Sequence, residues 1–310
     1  MLDLRKASYT RQVLPEDLQS VGFDTLLHGN DLPEDRAGTT ARAPGDAMLV
    51  QLHLDEDEVV ATGATESRVS LYEAIELANL LEDFPGRIAL DITGIEHKVW
   101  APLIRTALEC GRDLAVLYAE PDDYQRATEP LPGAIHDLSE RIRGIEPLPG
   151  FARVAQRQDD RGYFAPLLGF EGARLAYVFD RQEVDVRRTY PVVGLPGFRI
   201  EYPTYTYLGN REQLEADQLH TRVEMARANC PFEAFQALRR IHVRAGGSYL
   251  RIAPIGTKPH ALGAVLYAIA NDDAVELVYD HPVRTISRTT GVRLVNVFEV
   301  SEFMKDQIHG

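Results

Sequence analysis

Hydrophobic and polar positions divide the chain into short apolar runs alternating with amphipathic stretches. Met48-Leu-Val-Gln-Leu-His-Leu54 has strand length and runs into Asp55-Glu-Asp-Glu58. That acidic run reads as a solvated turn, since four consecutive carboxylates cannot all face one metal ion. From Ser70 the apolar residues Leu71, Ala74, Ile75, Ala78 and Leu81 fall on one helical stripe, Ser70 and Glu73 have the spacing of a capping box, and Pro85-Gly86 stops the helix. Residues 89–92 and 115–118 are apolar runs bounded by turn signals, with a helix predicted between them over 99–110. Strand, helix, strand with short turns is a βαβ unit, the building block of parallel sheets.

A second such unit follows further along. Residues 250–253 and 276–279 read as buried strands around a helix over 259–270, preceded by a helix over 232–242. Between the two units, 175–179 reads as a strand, 201–207 as an aromatic loop or edge strand, and 211–228 as a long helix. The predicted class is therefore α/β, with Rossmann-like parallel sheets flanked by helices. The division runs as an N-terminal arm over 1–45, a first Rossmann-like unit over 46–125, a middle segment over 126–215 and a second Rossmann-like unit over 216–310. Laying Tyr118 on Tyr279 and Pro121 on Pro282 suggests that the two units are pseudo-symmetric.

Composition narrows the function classes. The 310 residues carry a net charge of -14, a field that opposes sequence-independent binding to duplex DNA. Cys110 and Cys230 offer neither a disulfide framework nor a metal-ligand spacing, which fits a reducing compartment. An apolar signal region and an apolar run of membrane-spanning length are both missing, so a cytoplasmic protein without membrane contact is expected.

Gly256-Thr257-Lys258-Pro259 is the most informative tetrapeptide. Pro259 suits a first helical turn, which puts the preceding residues at a helix amino terminus, where backbone N–H groups and the dipole favour an anion. Gly256 admits close approach, Thr257 offers a hydroxyl and Lys258 can pair with phosphate; a plain strand-to-helix turn is the competing reading. Asp91-Ile-Thr93-Gly94 holds the corresponding place in the first unit, where Asp91 can meet a ribose hydroxyl, or Asp91 or Thr93 simply caps the next helix. Lys98 adds positive charge nearby. Glu120, Asp280 and His281 follow their strands directly and are candidates for polar contacts or for acid and base roles, while Arg284 and Arg288 sit in a donor-rich stretch able to close over phosphate. The glycine-rich dinucleotide fingerprint, the P-loop, the nucleophile elbow and the His-Glu-x-x-His zinc motif are all missing, and no cofactor is specified.

The strand, Gly/Thr turn, Lys and small-residue helix of Ile255-Gly-Thr-Lys-Pro-His-Ala-Leu-Gly263, with Asp91-Ile-Thr-Gly94 less closely, resemble the CRISPR-associated Rossmann fold (CARF) and SAVED ligand-sensing domains. The resemblance covers residues 45–120 and 245–283. It implies a sensor or regulatory subunit that recognises a nucleotide or oligonucleotide second messenger in prokaryotic antiphage defence, with an effector protein subunit as partner. Two alternatives stay open: a nucleotide-cleaving enzyme, acting at the phosphodiester or N-glycosidic bond through Glu120, Asp280 or His281, and a structural subunit of a larger complex.

Overall fold

The computed structural model describes residues 9–32, 34–42, 45–127, 129, 135–136, 138–152, 162–286 and 288–309. In chain order its strands and helices are β1 (Thr10–Val13), β2 (Thr25–His28), β3 (Met48–Asp55), β4 (Glu58–Thr62), β5 (Glu66–Ser70), α1 (Ala74–Glu82), β6 (Ile88–Asp91), α2 (His97–Glu109) and β7 (Leu114–Tyr124). Next come β8 (Ser139–Ile142), β9 (Tyr163–Pro166), α3 (Gly172–Arg181), β10 (Val192–Gly194), α4 (Tyr202–Gly209), α5 (Arg211–Glu215), β11 (Glu224–Ala226), α6 (Pro231–Arg244), β12 (Leu250–Ala253), α7 (Lys258–Ala270), β13 (Val275–Leu277) and β14 (Pro282–Arg284). The chain closes with β15 (Thr289–Phe298) and α8 (Val300–His309). It splits into two compact units: residues 1–124 with 286–310, and residues 125–285.

Unit 1 is built on an eight-stranded mixed sheet in the order β1-β15-β7-β6-β2-β3-β4-β5. Its parallel centre is β7-β6-β2-β3, and antiparallel strands extend it on both sides. The predicted strands at 89–92 and 115–118 are here, with Ile88, Ala89, Leu90, Val116 and Leu117 almost wholly buried. The segment read as an arm is instead structural. Thr25, Leu26 and Leu27 of β2 are buried at the centre of the sheet, and β1 forms one edge. A four-residue strand is too short to show a period, which is why the pattern concealed it. The capping box also fails: Ser70 ends β5, and helix α1 starts after Glu73 with no side-chain cap.

Unit 2 holds a parallel sheet. The order β13-β12-β9 continues through parallel bridges Phe164↔Thr189 and Leu167↔Val192 to the parallel pair β10-β11. The resulting order β11-β10-β9-β12-β13 is, in sequence terms, 3-2-1-4-5, that of a doubly wound dinucleotide-binding sheet. Unit 1's parallel strands run in the different order 2-1-3-4, and Pro121 lies inside β7 whereas Pro282 opens β14, so the topologies give no support to pseudo-symmetry.

Three readings of the middle segment are corrected here. The run 175–179 belongs to helix α3, where Leu175 and Val178 face the core and Tyr177 is half-buried. The aromatic run is helix α4, begun by Pro203 in its first turn. The stretch 211–228 is the short helix α5, a 3-10 segment and strand β11. The donor-rich loop after Arg284 likewise gives way to β15, which carries Thr289 and Thr290 as ladder residues paired with Tyr124 and Asp123.

Candidate functional site

Ligands of open parallel sheets sit beyond the carboxyl ends of the strands, where the strand order reverses. In unit 1 that point lies between β2 and β6, and the turns after these two strands meet there. A Cβ on Gly94 would overlap the Gly29 carbonyl oxygen, and one on Gly29 would lie 2.5 Å from the Leu52 carbonyl oxygen. Two successive turns therefore meet backbone to backbone, and only glycine fits. Asp91, 1% exposed, accepts from Thr40 Oγ1 at 2.5 Å and from the Thr93 amide at 2.8 Å, while Thr93 Oγ1 accepts from the Ala119 amide. Asp91 thus closes its own turn and holds the segment that crosses it, and neither Asp91 nor Thr93 caps α2, whose N-cap is Glu96.

That segment carries a charged cluster that sequence reading missed. Arg36, 1% exposed, donates to the Glu34 carboxylate, the Ala119 carbonyl and Thr289 Oγ1. Arg288, predicted to meet phosphate, donates to Glu34 through Nε at 2.9 Å and through its terminal nitrogen. Glu120 accepts from Asn296 Nδ2 at 3.2 Å and faces Arg293. Lys98 Nζ donates to Asp57 and to the Glu56 carbonyl, tying helix α2 to the β3–β4 turn. These candidates are all engaged by protein partners. An open recess lined by Gln19, Gly22, Asp24, Asp46 and Met48 lies at the amino ends of β2 and β3, the end away from the switch point.

In unit 2 the order reverses between β9 and β12. The turn after β12 is Pro254–Lys258, so Gly256, Thr257 and Lys258 stand beside the switch point; across from them is the turn after β9, Leu167-Leu-Gly169-Phe-Glu171-Gly172. The two turns touch: a Cβ on Gly256 would lie 2.7 Å from the Leu168 carbonyl oxygen, and one on Gly169 would lie 2.9 Å from that of Ile255. Thr257 accepts from the His260 amide as the N-cap of α7 and donates to the Ala228 carbonyl at 2.7 Å. Lys258 is buried, 6% exposed.

Arg174 ties the site's floor together. From the first turn of α3 it donates through Nε and a terminal nitrogen to both carboxylate oxygens of Asp280, at 2.7 and 2.6 Å, and through its other terminal nitrogen to the Ile255 carbonyl at 2.9 Å. The loops after β9, β12 and β13 are thereby linked by one side chain. Burial acts to raise the Asp280 carboxyl, but the Arg174 charge and hydrogen bonds outweigh it and hold the group below the ordinary carboxylate range. His281 takes a positive φ of 43°, donates from Nε2 to the Glu146 carbonyl at 3.1 Å and packs edge-on against Tyr279. Arg284 lies in β14 and contributes to the positive field at Asp280.

Two further features surround the turn after β9. Asn210 Nδ2 donates to the Gly169 carbonyl at 2.8 Å, and the Glu171 carboxylate accepts from the Leu138 amide and Ser139 Oγ. Phe170 stacks on His136 at 4.6 Å and meets Tyr202 edge-on. His260, wholly buried in the first turn of α7, donates from Nε2 to the Arg227 carbonyl, and burial pushes its imidazole down to about 4. The sequence signal for this turn was Gly169-x-x-Gly172 ahead of an apolar helical stripe, the last two glycines of the dinucleotide fingerprint with Leu167 in the place of the first.

Among the described residues there is no group of three metal-ligating side chains and no helix long and apolar enough to cross a membrane. No protein-family model, curated protein or solved structure matches the chain.

Proposed function

We propose that unit 2 binds a nucleotide or oligonucleotide second messenger at its switch point and that the protein acts as a sensor or regulatory subunit, as the CARF and SAVED resemblance implies. The observation that carries this reading is the strand order β11-β10-β9-β12-β13, which reverses between the two turns that contain Gly169 and Gly256. The α7 amino terminus with Lys258 is the phosphate side of the site. Unit 1 is the less suitable half, because Asp91 at the end of β6 is already engaged by Thr40.

Cleavage is less well supported than binding. A general base needs a carboxylate free to take a proton, whereas both oxygens of Asp280 are committed to Arg174 and Glu120 is held by Asn296. Titration calorimetry with the four ribonucleoside 5′-monophosphates and with cyclic dinucleotides tests the proposal. One of them should bind and be recovered unchanged. Lys258→Gln should weaken that ligand about 10- to 150-fold, the equivalent of a lost charge-assisted hydrogen bond. Product formation would favour the cleaving enzyme, and the absence of any binding would favour a structural subunit.

A further inference from the structure

In a doubly wound sheet of this order, the helix after the first strand ordinarily receives the ligand's pyrophosphate on its free amino terminus. The equivalent helix here is α3, and its surroundings have the opposite polarity. Its N-cap is Glu171, whose carboxylate does not cap the helix but reaches to the Leu138 amide at 3.0 Å and Ser139 Oγ at 2.9 Å. Beside it, Asn210 is fully buried and grips the turn through Nδ2 on the Gly169 carbonyl. Since Nδ2 also donates to the Thr206 carbonyl, the amide orientation is fixed, and Oδ1 is left as a buried acceptor with no partner. Leu167 stands where the first fingerprint glycine would be. The Glu171 carboxylate and the Asn210 amide oxygen are both acceptors, and the carboxylate's charge beside the α3 amino terminus opposes a phosphate there while suiting groups that donate hydrogen bonds.

We propose that the β9–α3 turn takes hydroxyl or amino donors of the ligand's nucleoside and refuses phosphate, so that the site selects nucleotides bearing isolated phosphate groups and rejects pyrophosphate-bridged dinucleotides. This rests on the proposed nucleotide site and adds the polarity of its two halves: phosphate toward Gly256–Lys258, nucleoside toward Gly169–Glu171. Glu171 is the specificity-determining residue. Specificity of this kind comes from the repulsive element as much as from attraction.

The test compares, by calorimetry on the full chain, the tightest-binding ribonucleoside monophosphate with the dinucleoside pyrophosphate built from the same nucleotide. The wild type should prefer the monophosphate by at least about tenfold, and Glu171→Gln, which keeps the shape and one acceptor, should shrink that preference to within about threefold. Ser139→Ala, which removes one support of the carboxylate but keeps its charge, should leave the preference in place. Equal binding of the two ligands by the wild type, an unchanged preference in Glu171→Gln, or a loss of preference in Ser139→Ala would each overturn the assignment. If no monophosphate binds at all, the proposed function itself fails, an outcome distinct from binding without discrimination.

Discussion

Asp280→Asn removes one charge from a pair that is shielded from water on both sides, the Asp280 side chain being 0% and that of Arg174 4% exposed. The substitution keeps the shape of the residue but leaves the guanidinium with an uncompensated charge and a lost bidentate partner. Breaking a buried pair in this way costs about 3–5 kcal/mol. For a unit of this size, about 2–4 °C of melting temperature follows each kcal/mol, so scanning calorimetry should show unit 2 melting roughly 6–20 °C lower. Arg174→Met combined with Asp280→Leu should recover most of the loss, because an apolar pair of similar volume carries no desolvation cost. The pH dependence has a definite sign. A carboxyl held below its unfolded value contributes stability in full above about pH 3.9 and loses it as pH falls through the depressed folded value. A shift of under 2 °C for Asp280→Asn, or a double variant no better than the single, would refute the view that this pair organises the loops beyond β9, β12 and β13.

Gly94→Ala should destabilise unit 1 by about 1–3 kcal/mol, since the new methyl must displace the Gly29 backbone; urea unfolding of the variant against wild type measures it. His260 should give an acid-side slope. Its folded value near 4 lies below the unfolded value near 6.5, so its contribution is complete above about pH 6.5 and falls by on the order of 3 kcal/mol toward pH 4. Melting curves from pH 4 to 8 should flatten in His260→Gln. Glu34→Ala should cost about 3–5 kcal/mol by leaving Arg36 and Arg288 without their shared carboxylate, and acetate added to the variant should restore part of its melting temperature.

Much of the scaffold was legible because long apolar runs flanked by turn residues have few alternatives. β6, β7 and β12, together with helices α2 and α7, fall close to where the period of their apolar positions puts them. Legibility failed where burial comes from partners distant in sequence. Thr25–His28 is a central strand only because β3 and β6 flank it, and Leu175–Phe179 is helical because one face packs on the unit 2 core. The site was half visible. Gly256 and Thr257 announce a strand-to-helix turn, and that turn does stand at the switch point. The partners of the switch point were hidden: Arg174 directly precedes the run 175–179 that was misread as a strand, and Gly169-x-x-Gly172 lacks the first glycine that would have drawn notice. Polar candidates at strand ends, such as Asp91 and Glu120, and Arg288 in the donor-rich stretch are engaged by residues 34–40, Asn296 and Arg293, which no local spacing reveals.

The central claim is that the unit 2 switch point, and not that of unit 1, holds a nucleotide. Amide hydrogen exchange of the full chain with and without the tightest-binding monophosphate measures it most directly. Slower exchange is expected in the peptides spanning 168–173 and 255–261, with the 91–95 and 29–40 peptides unchanged. Protection confined to 91–95 or 29–40, or saturating ligand with no change at 255–261, would contradict the assignment.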